Sequence, residues 1–568
     1  MWLPGALTLG VIAAALAWTW RHARRQTLPR SALAVFAAGA IAMTAYTFTR
    51  PAGAFSGDEG VKLAQVIAVG EGQIALTYPG AELDPEGRYF PFETPFIVIE
   101  DGHRYGVYSP FFTVPSAIGW TLFGFWGLHV LPLLGGLLAL WYTMVLAQRA
   151  LGSVRWTIVA GAAVLSTPVV LNASLFNEHA PACGLVLLAL AHASAPSPGR
   201  AALLGSGAAL GVAVAIRPEL ITGIPAFALF AGAVAPGWRD GARRIGWMLL
   251  GGAIPIAAYV IANLVTVGVP SPVMHRQYQH AVMQNRTRGW DLVPADLERV
   301  TGVSGWYLIA PLALALIPPL RWPAVERWRA PIAAVIAAAW LVVCALYLYV
   351  ASREPRHFPA PLFMATPGFI IGLIHGPYRS PGAPDERARL MRALWLLAIA
   401  GVAVMVWLNH LMGYGARLGA RYVLPYMPPL LLCTLAVAAR SRLLLAVAAL
   451  ALALGLWGQA LNHEEGMRLR DRDATAVRDI QRRPELHSFS GLFWGPQIAA
   501  PTWNQKQLFL GGRDIGPILR EIKRRGYPAV LEVVGGVREW VKLDQEPRLE
   551  LVPFAAESQY VRVYRFVE

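Results

Sequence analysis

The amino-acid sequence predicts a polytopic α-helical membrane protein, with about 12–14 spanning helices and a small α/β extramembrane domain at its end. Three observations lead there. Of 568 residues, 56% are hydrophobic and only 15% charged, against about 25% charged in a soluble protein. Apolar runs close to the ~20 residues that cross a bilayer recur throughout 1–461. From 462 to 568 the chain turns charged and then shows short alternating stretches.

Taken in order, the apolar runs place helices at 2–19, 31–48, 127–148, 156–171, 180–195, 201–216, 219–235, 245–266, 304–320, 331–350, 358–375, 391–408, 423–439 and 443–460. The first run is followed by RHARRQ rather than a small-residue cleavage site, so it reads as a retained helix. Pro218 breaks or tilts the pair 201–216 and 219–235. Residues 109–126, SPFFTVPSAIGWTLFGFW, are apolar but interrupted by proline and read as a partly embedded segment. In the tail, HEEGMRLRDRDATAVRDIQRR reads as a juxtamembrane helix, and GRDIGPILREIKRRGY as a second helix stopped at Gly526. PAVLEVVGG, RLELVPF and QYVRVYRFV read as strands, being alternating, β-branched and aromatic.

Arginine sets the orientation. RHARRQTLPR (21–30), QRALGSVR (148–155), WRDGARR (238–244), RWPAVERWR (321–329), 376–392 and ARSR (439–442) occupy alternate connections, and short arginine-rich loops stay in the cytoplasm. The long loop 49–112, NASLFNEH (172–179), the turn at Arg217-Pro218-Glu219, SREPRH (352–357), NHLMGYGARLGARY (409–422) and the tail then face outward. The net charge of +15 is dispersed, with no arginine block interleaved with aromatics, which argues against a nucleic-acid partner. Cys183, Cys344 and Cys433 lie in or beside apolar runs without metal-site spacing.

The outward face collects the residues capable of chemistry. Asp58 and Glu59 follow the 31–48 helix, in FSGDEGVKLAQ. A carboxylate at a membrane edge is a candidate general base; the competing reading is a solvated helix start with Asp58 near its N-cap. Lys62, the first lysine in the chain and the last before residue 506, is one turn later. It either contacts a phosphate, orients Asp58, or decorates that helix. Glu178 is a candidate second acid and His179 its neighbour at the site, or both simply end an apolar run. Arg217 either meets a lipid phosphate or pairs with Glu219. Arg353, Arg356, Arg417 and Arg421, with Tyr422, offer guanidinium forks that suit phosphate oxygens or snorkel to headgroups. Tyr105 and Tyr108 are candidates for an acceptor path. Asp58 with Glu178 leaves Mg²⁺ or Mn²⁺ open, although two acids make a poor metal signal. There is no P-loop, GxGxxG after a strand, HExxH or GxSxG elbow.

Four segments in order resemble the integral-membrane glycosyltransferases of the GT-C fold, in particular protein O-mannosyltransferases and lipid A aminoarabinose transferases. They are GDEGVKLAQ, YSPFFTVPSAIGWTLFG, LGVAVAIRPELITGIPAFALF and GARLGARYVLPYMPPLLL, spread over roughly 31–440. The chain departs from that pattern in the additional run 2–19, and in YSPF where many relatives carry a Lys-Pro-Pro-like run. The resemblance implies Asp58 as catalytic base and Glu178 as second acid, with Arg217 and Arg421 near the donor phosphate. It implies a polyprenyl-phosphate-linked sugar as donor, a lipid, glycan or protein as acceptor, and a bacterial inner membrane as the location. The expectation is therefore an extracytoplasmic transferase built of a membrane module (1–461) and an α/β domain (462–568). A transporter or flippase for a lipid-linked sugar, and a non-catalytic membrane scaffold, are its rivals.

Overall fold

The computed structural model describes residues 10, 28–49, 53–54, 56–92, 96–276, 323–353, 366–375, 385–412, 421–490, 498–502, 507–509, 514–533, 548–552 and 560–567. The expected helix 304–320 lies outside these residues, as do the expected helix 2–19 apart from residue 10 and most of the loop 267–303. The membrane module is built of α1 (Arg30–Phe48), the short helix α2 (Gly57–Gly70), a two-stranded hairpin β1 (Ile97–Glu100) and β2 (His103–Gly106), and α3 (Pro110–Phe123). Then follow α4 (Val130–Leu151), α5 (Val154–Val164), α6 (Val169–Ser174), α7 (His179–Ala193), α8 (Arg200–Ile216), α9 (Ile224–Ala233) and α10 (Trp238–Val267). After these come α11 (Pro323–Arg353), α12 (Phe369–His375), α13 (Asp385–Met412), α14 (Met427–Ala438) and α15 (Arg442–Gln481). Among the described residues, six helices are long and apolar enough to cross a membrane, so the chain is a multi-pass helical membrane protein.

Lipid tails are as apolar as leucine, so helices in a bilayer associate by close packing rather than by hydrophobic burial. The sequence supplies small residues for that purpose. In α8 and α10, a Cβ at Gly207, Gly211 or Gly251 would run into the backbone of the facing helix at Met248, Gly252 or Leu204. Gly135 of α4 approaches Pro181 of α7 in the same manner. Pro218 divides the α8–α9 run as anticipated, with a 3-10 turn at Pro218–Gly223. On the side assigned to the cytoplasm, Arg149 and Arg244 donate to the last carbonyls of α7, at Ala191 and Ala193. Cations there complement the negative end of the helix.

The tail contains a five-stranded sheet in the order β4-β3-β5-β7-β6, from β3 (His487–Ser490), β4 (Gln507–Phe509), β5 (Ala529–Val533), β6 (Leu549–Val552) and β7 (Val561–Phe566). The strands β3, β4 and β5 run parallel and β7 antiparallel to both β5 and β6, with Val530 opposite Tyr564. Helix α16 (Gly516–Arg524) ends before Gly526, whose φ of 81° continues no helix. Residue 461 falls inside α15, which runs on for another 20 residues to Gln481. The outer loop joins the tail directly. Leu83 and Tyr89 share a buried cluster with Phe489, Leu508 and Tyr564, the Tyr89 hydroxyl donates to the Asp514 carbonyl, and Arg525 donates to the Glu82 carbonyl at 2.6 Å.

Candidate active site

Helix α2 begins where its sequence says it should. The Ser56 hydroxyl accepts the Glu59 amide proton, and two acids occupy the first turn, where the helix dipole favours negative charge. The helix lies over the membrane-embedded elements and buries Val61, Lys62, Leu63 and Val66. Asp58 and Lys62, four residues apart, share one side of it. Glu59 is about 100° further round, at 3.6 residues per turn.

Asp58 meets the start of the 3-10 turn Arg421–Tyr426: Arg421 Nη1 donates to Asp58 Oδ2 at 2.8 Å. Lys62, 1% exposed, forms an ion pair with Glu178 Oε2 at 2.6 Å and sits 4.3 Å over the Tyr108 ring. Arg217 ends α8 and reaches the same place. Its Nη1 donates to the Arg421 carbonyl at 3.1 Å, and its guanidinium stacks 4.9 Å over Tyr422. His179 also packs edge-on against Tyr422, 5.7 Å between ring centres. The Arg217–Glu219 separation, 3.9 Å, is the longest of these charge contacts, so Arg217 is held chiefly by the 421–426 turn rather than by its sequence neighbour.

Burial alone pushes the Asp58 carboxyl up. The charges of Arg421 and Lys62, with hydrogen bonds from Arg421 and Tyr108, outweigh it and hold the group below the ordinary aspartate value. Burial, together with the carboxylates of Asp58 and Glu178, raises Tyr108 well above the ordinary phenol value, so it remains a donor to Asp58. Three guanidinium donors in the pocket make no hydrogen bond: Arg217 Nε, Arg217 Nη2 and Arg421 Nε, with Arg217 only 1% exposed. Buried donors are rarely left unmade, and an anion would satisfy them.

Tyr105 and Tyr108 line a groove of about 660 Å³ between α2, α3 and α10, whose other walls include Gln65, Thr113, Ala117, Thr121 and Asn263. Tyr108 therefore belongs to both the charged pocket and the groove. Two residues absent from the sequence reading place it. The Gln65 side-chain amide donates to the carbonyls of Gly106 (3.2 Å) and Tyr108 (3.1 Å) while its oxygen accepts the Tyr108 amide proton (3.2 Å). The Ser109 hydroxyl donates to the Ala215 carbonyl, tying this segment to the end of α8, two residues from Arg217. Gln65 falls two turns after Asp58 on α2, a spacing visible in the sequence, although nothing there announces its partners.

Of the sequence-predicted residues, Asp58, Lys62, Tyr108, Glu178, His179, Arg217, Arg421 and Tyr422 come together. Glu59 does not: its Oε1 accepts the Phe176 amide proton at 3.0 Å, on the far side of α2. Arg353 is exposed at the end of α11, 4.5 Å over the Tyr349 ring. Arg356 and Arg417 lie outside the described residues. Asp58 and Glu178 are each engaged by a cationic side chain, and among the described residues no three His, Cys, Asp or Glu side chains are grouped to hold a metal ion. The donor set does not fit a divalent cation in this arrangement.

These features define a polytopic helical membrane protein with a buried, cation-rich pocket on one side. No protein-family model matches the chain, and no curated protein matches it. Solved structures similar to it include two of one protein. One is ArnT from Cupriavidus metallidurans bound to undecaprenyl phosphate, 17% identical, with 94% of this chain and 97% of that chain covered and a TM-score of 0.43. The other is ArnT from Cupriavidus metallidurans in the apo state, 15% identical, with the same coverage and a TM-score of 0.46.

Proposed function

We propose that the protein is a membrane glycosyltransferase that moves a sugar from a polyprenyl-phosphate donor to an acceptor on the extracytoplasmic face, with Asp58 as general base. The observation that carries this reading is the coincidence, in one pocket, of an ionised carboxylate with buried guanidinium donors that have no partner. The first suits an attacking hydroxyl or amine, and the second a departing phosphate.

In the reaction, the acceptor O–H or N–H gives its proton to Asp58 as its oxygen or nitrogen forms a bond to the anomeric carbon. The bond from that carbon to the phosphate oxygen breaks, and its electron pair leaves with the polyprenyl phosphate. Arg217 and Arg421 take up the charge that grows on the phosphate. One displacement inverts the anomeric centre. Arg421 connects the two halves: in the resting arrangement it neutralises Asp58, and turning toward the donor phosphate would release the base as the donor binds. Lys62 stays with Glu178 and contributes positive charge at close range. The groove beside Tyr105 and Tyr108 supplies an apolar bed for a lipid chain reaching the pocket from the bilayer.

The experiment is transfer of radiolabelled sugar from a polyprenyl-phosphate donor by purified protein in lipid nanodiscs, compared with Asp58→Asn. A loss of about 10²- to 10⁴-fold in kcat is expected on removing a general base. Equal transfer by both proteins removes the mechanism, and transbilayer movement of the donor without sugar transfer replaces it with a flippase.

A further inference from the structure

Arg470 plays no part in the reaction above, yet it is among the most buried side chains of the protein. It lies on α15, nine residues beyond the 461 boundary, on the stretch that leads to the extramembrane sheet. Its Nη2 donates to the Ser174 carbonyl at 3.3 Å, while Nε and Nη1 make no hydrogen bond. The carboxylate whose charge acts on it is Glu59. Its own backbone is packed against Gly53, where a Cβ would stand 3.2 Å from the Arg470 carbonyl oxygen. Glu59, 3% exposed, in turn holds the Phe176 amide. Asp58 is the residue before Glu59, and Glu178 is two residues after Phe176. The charge on α15 thus gathers the two short segments that carry both acids of the pocket.

We propose that Arg470 is a positioning residue: through Glu59 and the Ser174 carbonyl it fixes the separation of Asp58 from the Glu178–Lys62 pair, and so couples the extramembrane end of α15 to the pocket. A fully buried arginine is costly unless a charge compensates it, and the Glu59 carboxylate, bonded two residues along the backbone that Arg470 holds, offsets part of that cost. Glu59 and Asp58 sit on consecutive residues of one helix, so a displacement of the first carries the second with it. A misplacement of about 1 Å in a reacting group costs on the order of 10²-fold in rate. The kinetic consequence rests on the glycosyl-transfer reading; the coupling itself does not.

The test uses full-length protein in nanodiscs, as Arg470→Met, Arg470→Lys, Glu59→Gln and the double variant Arg470→Met/Glu59→Gln. Arg470→Met removes a buried cation that acts on Glu59 and the hydrogen bond to the Ser174 carbonyl. The expected result is a fall in kcat of about 10- to 100-fold, with KM for the lipid-linked sugar unchanged. Arg470→Lys should recover most of that loss. The double variant should outperform Arg470→Met, because a neutral glutamine no longer faces a missing charge. Hydrogen–deuterium exchange should rise at 56–62 and 174–178 in Arg470→Met and fall back in the double variant. A double variant no better than Arg470→Met, or unchanged exchange in both segments, overturns the proposal. If wild-type protein transfers no sugar, the glycosyl-transfer reading fails, and the exchange experiment still decides the coupling.

Discussion

Replacing Arg421 by methionine tests the centre of the pocket, because in the proposed reaction that one side chain serves both the base and the leaving group. At the observed 2.8 Å from Asp58, the gross Coulomb attraction is about 6 kcal/mol at an effective dielectric of ~20. The Asp58 side chain is 24% exposed and that of Arg421 15%, so solvent screening and desolvation leave far less as net stabilisation. The kinetic effect is better bounded by loss of a preorganised donor to a developing anion, about 2.7–4 kcal/mol, or 10²–10³ in kcat. A second effect has a definite sign. In the wild type, Asp58 is held below its ordinary value, so it remains ionised across the neutral range, and the stability it contributes is lost only as pH falls through that depressed value. Without Arg421, its largest opposing influence is gone and burial raises the carboxyl. The acid limb of the kcat/KM–pH profile should therefore move to higher pH. The assay is the labelled-sugar transfer repeated across pH for wild type and Arg421→Met. An acid limb that stays in place, whatever the loss in rate, refutes the assignment of Asp58 as the base governed by Arg421.

Two further changes probe the surroundings. Lys62→Met strips the cation from Glu178 at a position 1% exposed, and should lower stability by about 3–5 kcal/mol, as breaking a buried pair does; denaturant unfolding in detergent measures it, and a loss below about 1 kcal/mol would mean that Glu178 finds another partner. Ala117→Trp places a large ring in the wall of the groove. KM for the lipid-linked sugar should rise tenfold or more, with kcat at saturation retained, and an unchanged KM would show that the lipid chain lies elsewhere.

Much of the membrane module was legible because its signal is local. Twenty apolar residues have few alternatives to a helix in a bilayer, since every backbone group must be satisfied within the segment. Arg30–Phe48, Arg200–Ile216 and the break at Pro218 follow directly from that rule. The start of α2 was readable from its serine and acids. The hairpin Ile97–Gly106 and the strands His487–Ser490 and Gln507–Phe509 were not. They are three or four residues long, and HSFS owes its place to neighbours 19 and 43 positions away. At the site, single-residue chemistry was visible but pairing was not. Lys62 lies near Asp58 as expected and acts on it by charge, but its ion pair is with Glu178 across the fold. Arg217 keeps Glu219 at 3.9 Å as the sequence offered, and also donates to the Arg421 carbonyl, which the sequence did not announce. The divergence of Glu59 from Asp58 was derivable, because adjacent residues on a helix cannot face one pocket.

The docking of the outer loop on the tail reaches beyond architecture. Tyr89, Leu83 and Arg525 fasten a segment lying between α2 and the Ile97–Gly106 hairpin onto the sheet. One end of that segment continues from the helix bearing Asp58, and the other leads to Tyr108. The tail is thereby tied to the stretch of chain that runs between Asp58 and Tyr108, instead of hanging from α15 alone.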